Sequence, residues 1–241
     1  MSNKTYYEEA QSFNFLTRWL HSYRYKAIIQ VFKELESKVG AETPIKVLEI
    51  GSAHGKLYEL LNSQFNIQYT GIELYKDLYL TSLERYGKNS NIRLINGSAL
   101  DENVYEGVEQ PDIVVALETL EHILERDVFR LIEKIVALNP KLFVCSVPVE
   151  IGPSIWFKNI GSFLVGYSRH KEYTWKETFW AGLNKLDKLP PHDYGHKGFN
   201  WQWLAQTLRH YLSIKKTIYF PFNFLPSGLS TSVFFITSYR D

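Results

Sequence analysis

One cysteine in 241 residues, Cys145, excludes an intrachain disulfide and fits a reducing compartment. Charge of either sign is not in excess. With 27 Lys and Arg against 26 Asp and Glu, the formal net charge of +1 offers no global field for nucleic acid or an anionic membrane. Such a partner would need a local basic patch. No stretch reaches the roughly 18 uninterrupted apolar residues of a membrane span, and the start "MSNKTYYEEA" lacks the basic and then apolar order of a signal peptide. Internal repeats and low-complexity segments are missing as well. These absences describe a cytoplasmic globular chain, neither spanning nor secreted by any visible signal.

What is present reads as one α/β core with an elaboration. "FNFLTRWLHSYRYKAIIQVFKELESKV" has apolar residues at three and four spacings, an amphipathic helical extension over residues 1–40. Then come "IKVLEIG" as a strand, "KLYELLNSQ" as a helix, "IQYTGIEL" as a strand and "KDLYLTSLERYG" as a helix. "IRLING" and "DIVVALET" read as further strands, "RDVFRLIEKIVALN" as a helix and "KLFVCSVPV" as a fifth strand. This order implies parallel βαβ units and a doubly wound sheet. The rhythm breaks at Glu150, and residues 150–195 read as an insert capping one end of the sheet. A helix, "NWQWLAQTLRHYL", and two β-like runs follow. The runs are joined by "NFLPSG", too short for a crossover helix, so they should pair antiparallel. The expected fold is Rossmann-like: seven mainly parallel strands, an antiparallel last strand, and a single domain over residues 1–241.

The chemistry concentrates in "VLEIGSAHGKL". Ligands of open parallel sheets bind outside the carboxyl ends of the strands, and this stretch ends the first strand. A dinucleotide site wants G-x-G-x-x-G, but here Gly51, Ala53, Gly55 and Lys56 make an incomplete pattern. Glu49 argues further against a pyrophosphate, by roughly 1 to 4 kcal/mol per close unit charge. Glu73, 24 residues on, ends the second strand where an acid can accept both hydroxyls of a ribose. A ribose ligand with positive charge and no phosphate suits both acids, and S-adenosylmethionine is such a ligand. The plainer reading of Glu49 is a solvated strand end.

On these residues the chain resembles the class I S-adenosylmethionine-dependent methyltransferases from about Ile45 to Val149. The family's E-x-G-x-G-x-G appears as Glu49, Gly51, Ala53 and Gly55, with alanine as a mild departure. The resemblance implies that Gly51, Ser52 and Ala53 approach the methionine portion. It implies that Glu73, with Leu74 beside it, binds the ribose. Ser98, where the family often has an acid, and Ala99 are then the candidates for adenine contact. "ALETLEHI" is similar to the fourth motif, with an L-E-H element found in small-molecule and lipid-type relatives, and places Leu117 and Glu118 beside the methyl end. His122 and His196 are candidate bases for an oxygen acceptor. Metal-dependent small-RNA 2′-O-methyltransferases show a similar E-x-x-E-H and a later His. Glu118, Glu121, His122 and His196 therefore form an alternative metal set. Glu118 and Glu121 also read as helix-start charges, and His122 as a loop-orienting group.

The expected acceptor is a small or lipid-linked molecule, since substrate choice should lie in the insert. Trp156, Phe157, Phe163, Tyr167, Tyr173, Trp175, Phe179 and Trp180, interleaved with Lys158, Arg169, Lys171 and Lys176, suit an aromatic lid. The same mixture suits peripheral contact at the inner face of a membrane. A non-catalytic binder of the same cofactor would share Glu49 and Glu73, and only turnover separates it from an enzyme. Oligomeric state has no signature here.

Overall fold

The computed structural model describes residues 15–156, 158–159, 173–190, 197–220, 223 and 227–239, with side chains from Tyr23 onward. Helix α1 spans Phe15–Val39. Strand β1 (Ile45–Ile50), α2 (Lys56–Asn62), β2 (Ile67–Glu73), α3 (Lys76–Tyr86), β3 (Ile92–Asn96) and β4 (Ile113–Leu117) follow. Then come α4 (Glu125–Ala137), β5 (Leu142–Pro148), α5 (Trp175–Gly182), α6 (Trp201–Tyr211), β6 (Ser213–Phe220) and β7 (Ser232–Ser238). The strands form one seven-stranded sheet in the order β3-β2-β1-β4-β5-β7-β6. β1 pairs in parallel with β2 and β4, β2 pairs in parallel with β3, and β6 and β7 pair antiparallel as "NFLPSG" requires. The doubly wound, mainly parallel expectation is met.

One connection departs from the alternation. Between β3 and β4 the chain makes only a 3-10 turn, Glu102–Tyr105, and then an irregular run to Pro111. "GSALDENVYEGVEQP" carries two glycines and a terminal proline and no helical apolar period, so nothing in it could sustain a crossover helix.

The chain divides into two compact units, one of residues up to 116 with 135–143, the other of 117–134 with 144–241. In the first, Ile45, Val47, Leu48, Ile67, Tyr69, Ile113 and Val114 are buried, the near-continuous apolar pattern of strands covered on both faces. Asp112 fastens its edge: the carboxylate accepts the Lys46 N–H at 2.8 Å and faces Lys141 Nζ at 2.8 Å. In the second unit Phe143's successors Val144, Cys145 and Val147 are buried with Val233, Phe234 and Phe235, and the lone thiol is a core side chain. Within residues 150–195, Ile155, Tyr173, Ala181 and Leu189 form a small apolar cluster of their own, with Trp156, Trp180 and Leu186 against it. His196 and most of the aromatic stretch from Phe157 to Glu172 lie outside the described residues. Among the described residues no helix is long and apolar enough to cross a membrane.

Gly55 starts α2 at φ +73, a conformation that costs a side-chain-bearing residue free energy. Space is closed there as well, because a Cβ would fall 2.7 Å from Ser82 Oγ and 2.9 Å from the Tyr86 ring. Gly55→Ala is expected to cost about 1–3 kcal/mol and lower Tm by roughly 3–10 °C. Thermal denaturation checks this, and an unchanged Tm would show the turn to be free.

Candidate functional site

The first unit builds a turn between two acids. After β1 the chain passes through Gly51 to Gly55 into α2. The Gly51 and Ser52 N–H groups donate to Ile72 O at 2.9 and 3.1 Å, and Gly55 N–H donates to Ser52 O at 2.9 Å. The turn is thereby tied to the end of β2. Ala53 stands at φ +44, where an L side chain is disfavoured and the resemblance expects glycine. Its N–H donates to Glu73 Oε2 at 2.8 Å, which holds it there. Glu73 Oε1 accepts the Tyr75 N–H at 2.8 Å. A carboxylate has about four lone-pair sites, so acceptor capacity remains for a ligand hydroxyl beyond these N–H groups. Glu73 is thus a turn anchor with capacity left for a diol.

Glu49 is 5% exposed, as is Glu73, so the solvated strand end is excluded. In register Glu49 faces Gly71 on β2, and Tyr69 lies two residues before that glycine on the same face. A Cβ at Gly71 would sit 3.0 Å from Tyr69 Cε1, so the missing side chain makes room for the ring. The Tyr69 hydroxyl reaches across this diagonal and donates to Glu49 Oε2. Tyr69 is fully buried and packs at a tilt on Tyr58, 5.3 Å between centroids, and Tyr58 meets Tyr86 edge-on at 5.2 Å. Burial and the neighbouring Glu49 push the Tyr69 hydroxyl well above the usual tyrosine range, so it stays a donor. The sequence reasoning missed Tyr69. Its signal was the "YTG" of β2, a tyrosine two residues before a glycine opposite the acid.

Burial pushes the Glu49 carboxyl up to about 8, against the Tyr69 hydrogen bond, and nearby Glu73 adds to the rise. Glu73 is raised by burial too, opposed by the backbone N–H groups of Tyr75, Ala53 and Leu74. Free and near neutral pH, the Glu49 carboxyl keeps its proton, and a cation placed against it draws the proton off. Tyr25 of α1 is also close enough to feel Glu49: burial first and Glu49 second raise its hydroxyl.

The remaining cofactor candidates of this unit fall as follows. Ser52 Oγ is buried with no hydrogen-bond partner among the described residues, which fits a polar ligand group at the turn. Leu74 and Tyr75, just past Glu73, are exposed. Ser98 Oγ is used locally, accepting the Leu100 N–H at 3.1 Å, and Ala99 O accepts from the Tyr105 hydroxyl at 2.7 Å. A turn of this kind, with an oxygen-rich acid on either side and an orphaned hydroxyl, fits S-adenosylmethionine and has no cationic group aimed at a phosphate.

The second unit holds the fourth motif. Leu117 ends β4, and Glu118 stands at φ +50 with its N–H donating to Ser146 O at 2.9 Å. The Ser146 hydroxyl donates to Glu118 Oε1 at 3.0 Å, so this acid is turned to β5. A 3-10 turn, Leu120–His122, comes next. It buries Glu121 completely and leaves His122 at the surface, with Nε2 4.0 Å from Glu121 Oε1. Glu121 is therefore no solvated helix-start charge. Of the proposed metal set, Glu121 and His122 adjoin while Glu118 is engaged with Ser146; His196 lies outside the described residues. Among the described residues no group of three or more His, Cys, Asp or Glu side chains is arranged to hold a metal ion.

The comparisons with known proteins bear on the family and the fold. The model of a family described as methyltransferase domain matches residues 20–213. No curated protein sequence matches the chain. Among solved structures, the methyltransferase domain of bacterial CtHen1-CN is 17% identical with TM-score 0.60, covering 91% of this chain and 99% of that one. Magnesium protoporphyrin IX methyltransferase from Synechocystis, with bound SAH, is 12% identical with TM-score 0.58, covering 99% and 96%. N-methyltransferase NodS from Bradyrhizobium japonicum is 15% identical with TM-score 0.57, covering 92% and 97%. At these identities the likeness is one of fold.

The Glu49 proton gives the site a pH signature. The folded chain holds it up to about pH 8 and the unfolded chain releases it near 4.5, so stability falls as pH rises through that window. Melting of the wild type is expected to drop more between about pH 5 and pH 8 than melting of Glu49→Gln, whose amide does not titrate. Affinity for S-adenosylhomocysteine, which carries the same ammonium, should rise from about pH 7 to 8.5 in the wild type and stay flat in Glu49→Gln. Parallel profiles for the two proteins in calorimetry would contradict this.

Proposed function

The chain belongs to the methyltransferase domain family, and on that premise we propose that it methylates an oxygen of a small or lipid-linked acceptor. Family membership makes the protein a methyltransferase with S-adenosylmethionine as cofactor. When bound, that cofactor supplies an electrophilic methyl on a sulfonium, and the sulfur departs as a neutral thioether that needs no acid. The protein's own tasks are to hold the cofactor, align the acceptor and take its proton.

In this reading Glu73 receives the ribose hydroxyls on its remaining lone pairs, Glu49 receives the ammonium, and Gly51, Ser52 and Ala53 form the floor beneath the methionine portion. Leu74 and Ser98 with Ala99 flank the nucleoside, and the resemblance gives Leu117 and Glu118 of the second unit as candidates for the methyl end. The observation that carries the acceptor chemistry is the contact between His122 and Glu121. An exposed imidazole with a fully buried carboxyl group 4.0 Å from its Nε2, beyond hydrogen-bond reach, places a group that favours the protonated ring beside a candidate base. His122 Nδ1, the ring nitrogen away from Glu121, takes the hydroxyl proton as the oxygen attacks, and Glu121 beside Nε2 stabilises the imidazolium that forms. His196 remains a second candidate base.

A second reading is small-RNA 2′-O-methylation. It is favoured by the same Glu121 and His122, and by structural neighbours that include a small RNA methyltransferase, HEN1, 17% identical with TM-score 0.58 over 89% of this chain and 25% of that one. Two things weigh against it: the near-zero net charge of the chain, and Glu118, whose Oε1 accepts the Ser146 hydroxyl instead of turning toward His122.

Labelled methyl transfer into lipid extracts and into short RNA, each with and without a chelator, separates the readings. Organic-soluble product unaffected by chelation is expected. Label in RNA that vanishes on chelation would replace the first reading with the second. His122→Ala should lower kcat by about 10²–10⁴ with S-adenosylhomocysteine affinity within about twofold. A variant that turns over at the wild-type rate would remove His122 as the base.

A further inference from the structure

The outer face of α5 carries large apolar side chains in a row. Trp175, Phe179 and Leu183 recur every four residues along the helix and its C-terminal turn, and are 74%, 52% and 43% exposed. Single exposed apolar side chains are ordinary on a protein surface, but an aligned row of large ones marks a contact face. The opposite face fixes the helix in place. Thr178, Ala181 and Gly182 are buried. The Trp156 indole lies on Gly182 so closely that a Cβ there would fall 2.0 Å from Nε1, and its N–H donates to Thr178 O at 3.2 Å. Thr174 and Glu177 close the first turn as a capping box, and Lys197 pairs with Glu177 at 2.8 Å. The aromatic row is thus presented by a helix whose first turn and inner face are both secured.

Charge decides what the row suits. Lys176, Lys185 and Lys188 are exposed on the same segment, while its two acids are engaged, Glu177 with Lys197 and Asp187 with Lys188 at 3.6 Å. An apolar protein groove would take the aromatics without the lysines. Aromatic rings with lysines at their edge match the headgroup level of a bilayer, where rings sit at the apolar boundary and ammonium groups face phosphates.

We propose that α5 docks the protein on an anionic membrane surface, with Trp175 and Phe179 entering the headgroup boundary and Lys176 and Lys185 facing lipid phosphates. This rests on the reading of the acceptor as lipid-linked, for which docking would bring the enzyme to its substrate.

Sedimentation of the full chain with phosphatidylcholine vesicles, with and without phosphatidylglycerol, tests it. The wild type should pellet with the anionic vesicles and release as salt rises. The double variant Trp175→Ala, Phe179→Ala should lose at least about tenfold in partitioning, and Lys176→Glu with Lys185→Glu should lose the salt-sensitive part. Unchanged S-adenosylhomocysteine binding in both variants shows that they fold. No pelleting of the wild type, or equal pelleting of the aromatic variant, overturns the proposal. So does a concentration-dependent dimer that the same substitutions abolish, which would assign the face to a second copy of the chain. Methylation of a lipid-linked acceptor in detergent, by a protein that ignores vesicles, would leave the acceptor reading standing and sink the docking. Vesicle binding with turnover of water-soluble acceptors alone would do the reverse.

Discussion

The Glu73 carboxylate, accepting the Ala53 and Tyr75 N–H groups at 2.8 Å each, is the constraint on which the cofactor half depends. It joins the end of β2 to the turn after β1 and holds Ala53 in a left-handed conformation that alanine does not choose unaided. With the turn fixed, the backbone of Gly51 and Ser52 stays tied to Ile72, and the ligand side of the loop is set before any ligand arrives. Preorganisation of this kind spares the binding step the cost of ordering a loop.

The second acid is governed by burial more than by sequence position. Glu49 lies opposite Gly71 and under the Tyr69 hydroxyl, and its raised carboxyl is neutral until a cation is supplied. A buried carboxyl without such a partner is a stability cost in its ionised form, and a bound ammonium relieves that cost. The two acids therefore differ: Glu73 organises the backbone of the turn, whereas Glu49 is set by burial and by the Tyr69 hydroxyl. In the second unit Glu121 is also completely buried, beside the exposed imidazole of His122.

Most of the fold was legible because its signals are local. Strands such as "DIVVAL" and "LFVCSVP" are continuous apolar runs, α4 repeats its apolar residues at helical spacing, and "NFLPSG" leaves no length for a crossover. The β3–β4 connection broke the pattern for an equally local reason, its glycines and proline. At the site, Glu49, Glu73 and the turn could be read from motif spacing, and the alanine at position 53 was seen as a departure. Its left-handed conformation was not visible, because it depends on an N–H···O contact across 20 residues. Tyr69 escaped for a related reason: only strand register places it beside Glu49. The protonation of Glu49 escaped because burial, not residue type, sets it. The acceptor side was the least legible, since an aromatic and lysine mixture describes a lid or a membrane face, and only the helix separates its buried residues Thr178, Ala181 and Gly182 from the exposed Trp175 and Phe179.

In the proposed reading, two buried acids around a glycine turn select a cationic, phosphate-free nucleoside. Calorimetric titration with S-adenosylhomocysteine and with NAD, on the wild type and on Glu73→Ala, tests it most directly. Saturable binding of S-adenosylhomocysteine, none of NAD, and loss of at least about tenfold in affinity on removing Glu73 are expected. Preferential binding of NAD, or S-adenosylhomocysteine affinity indifferent to Glu73, would contradict it.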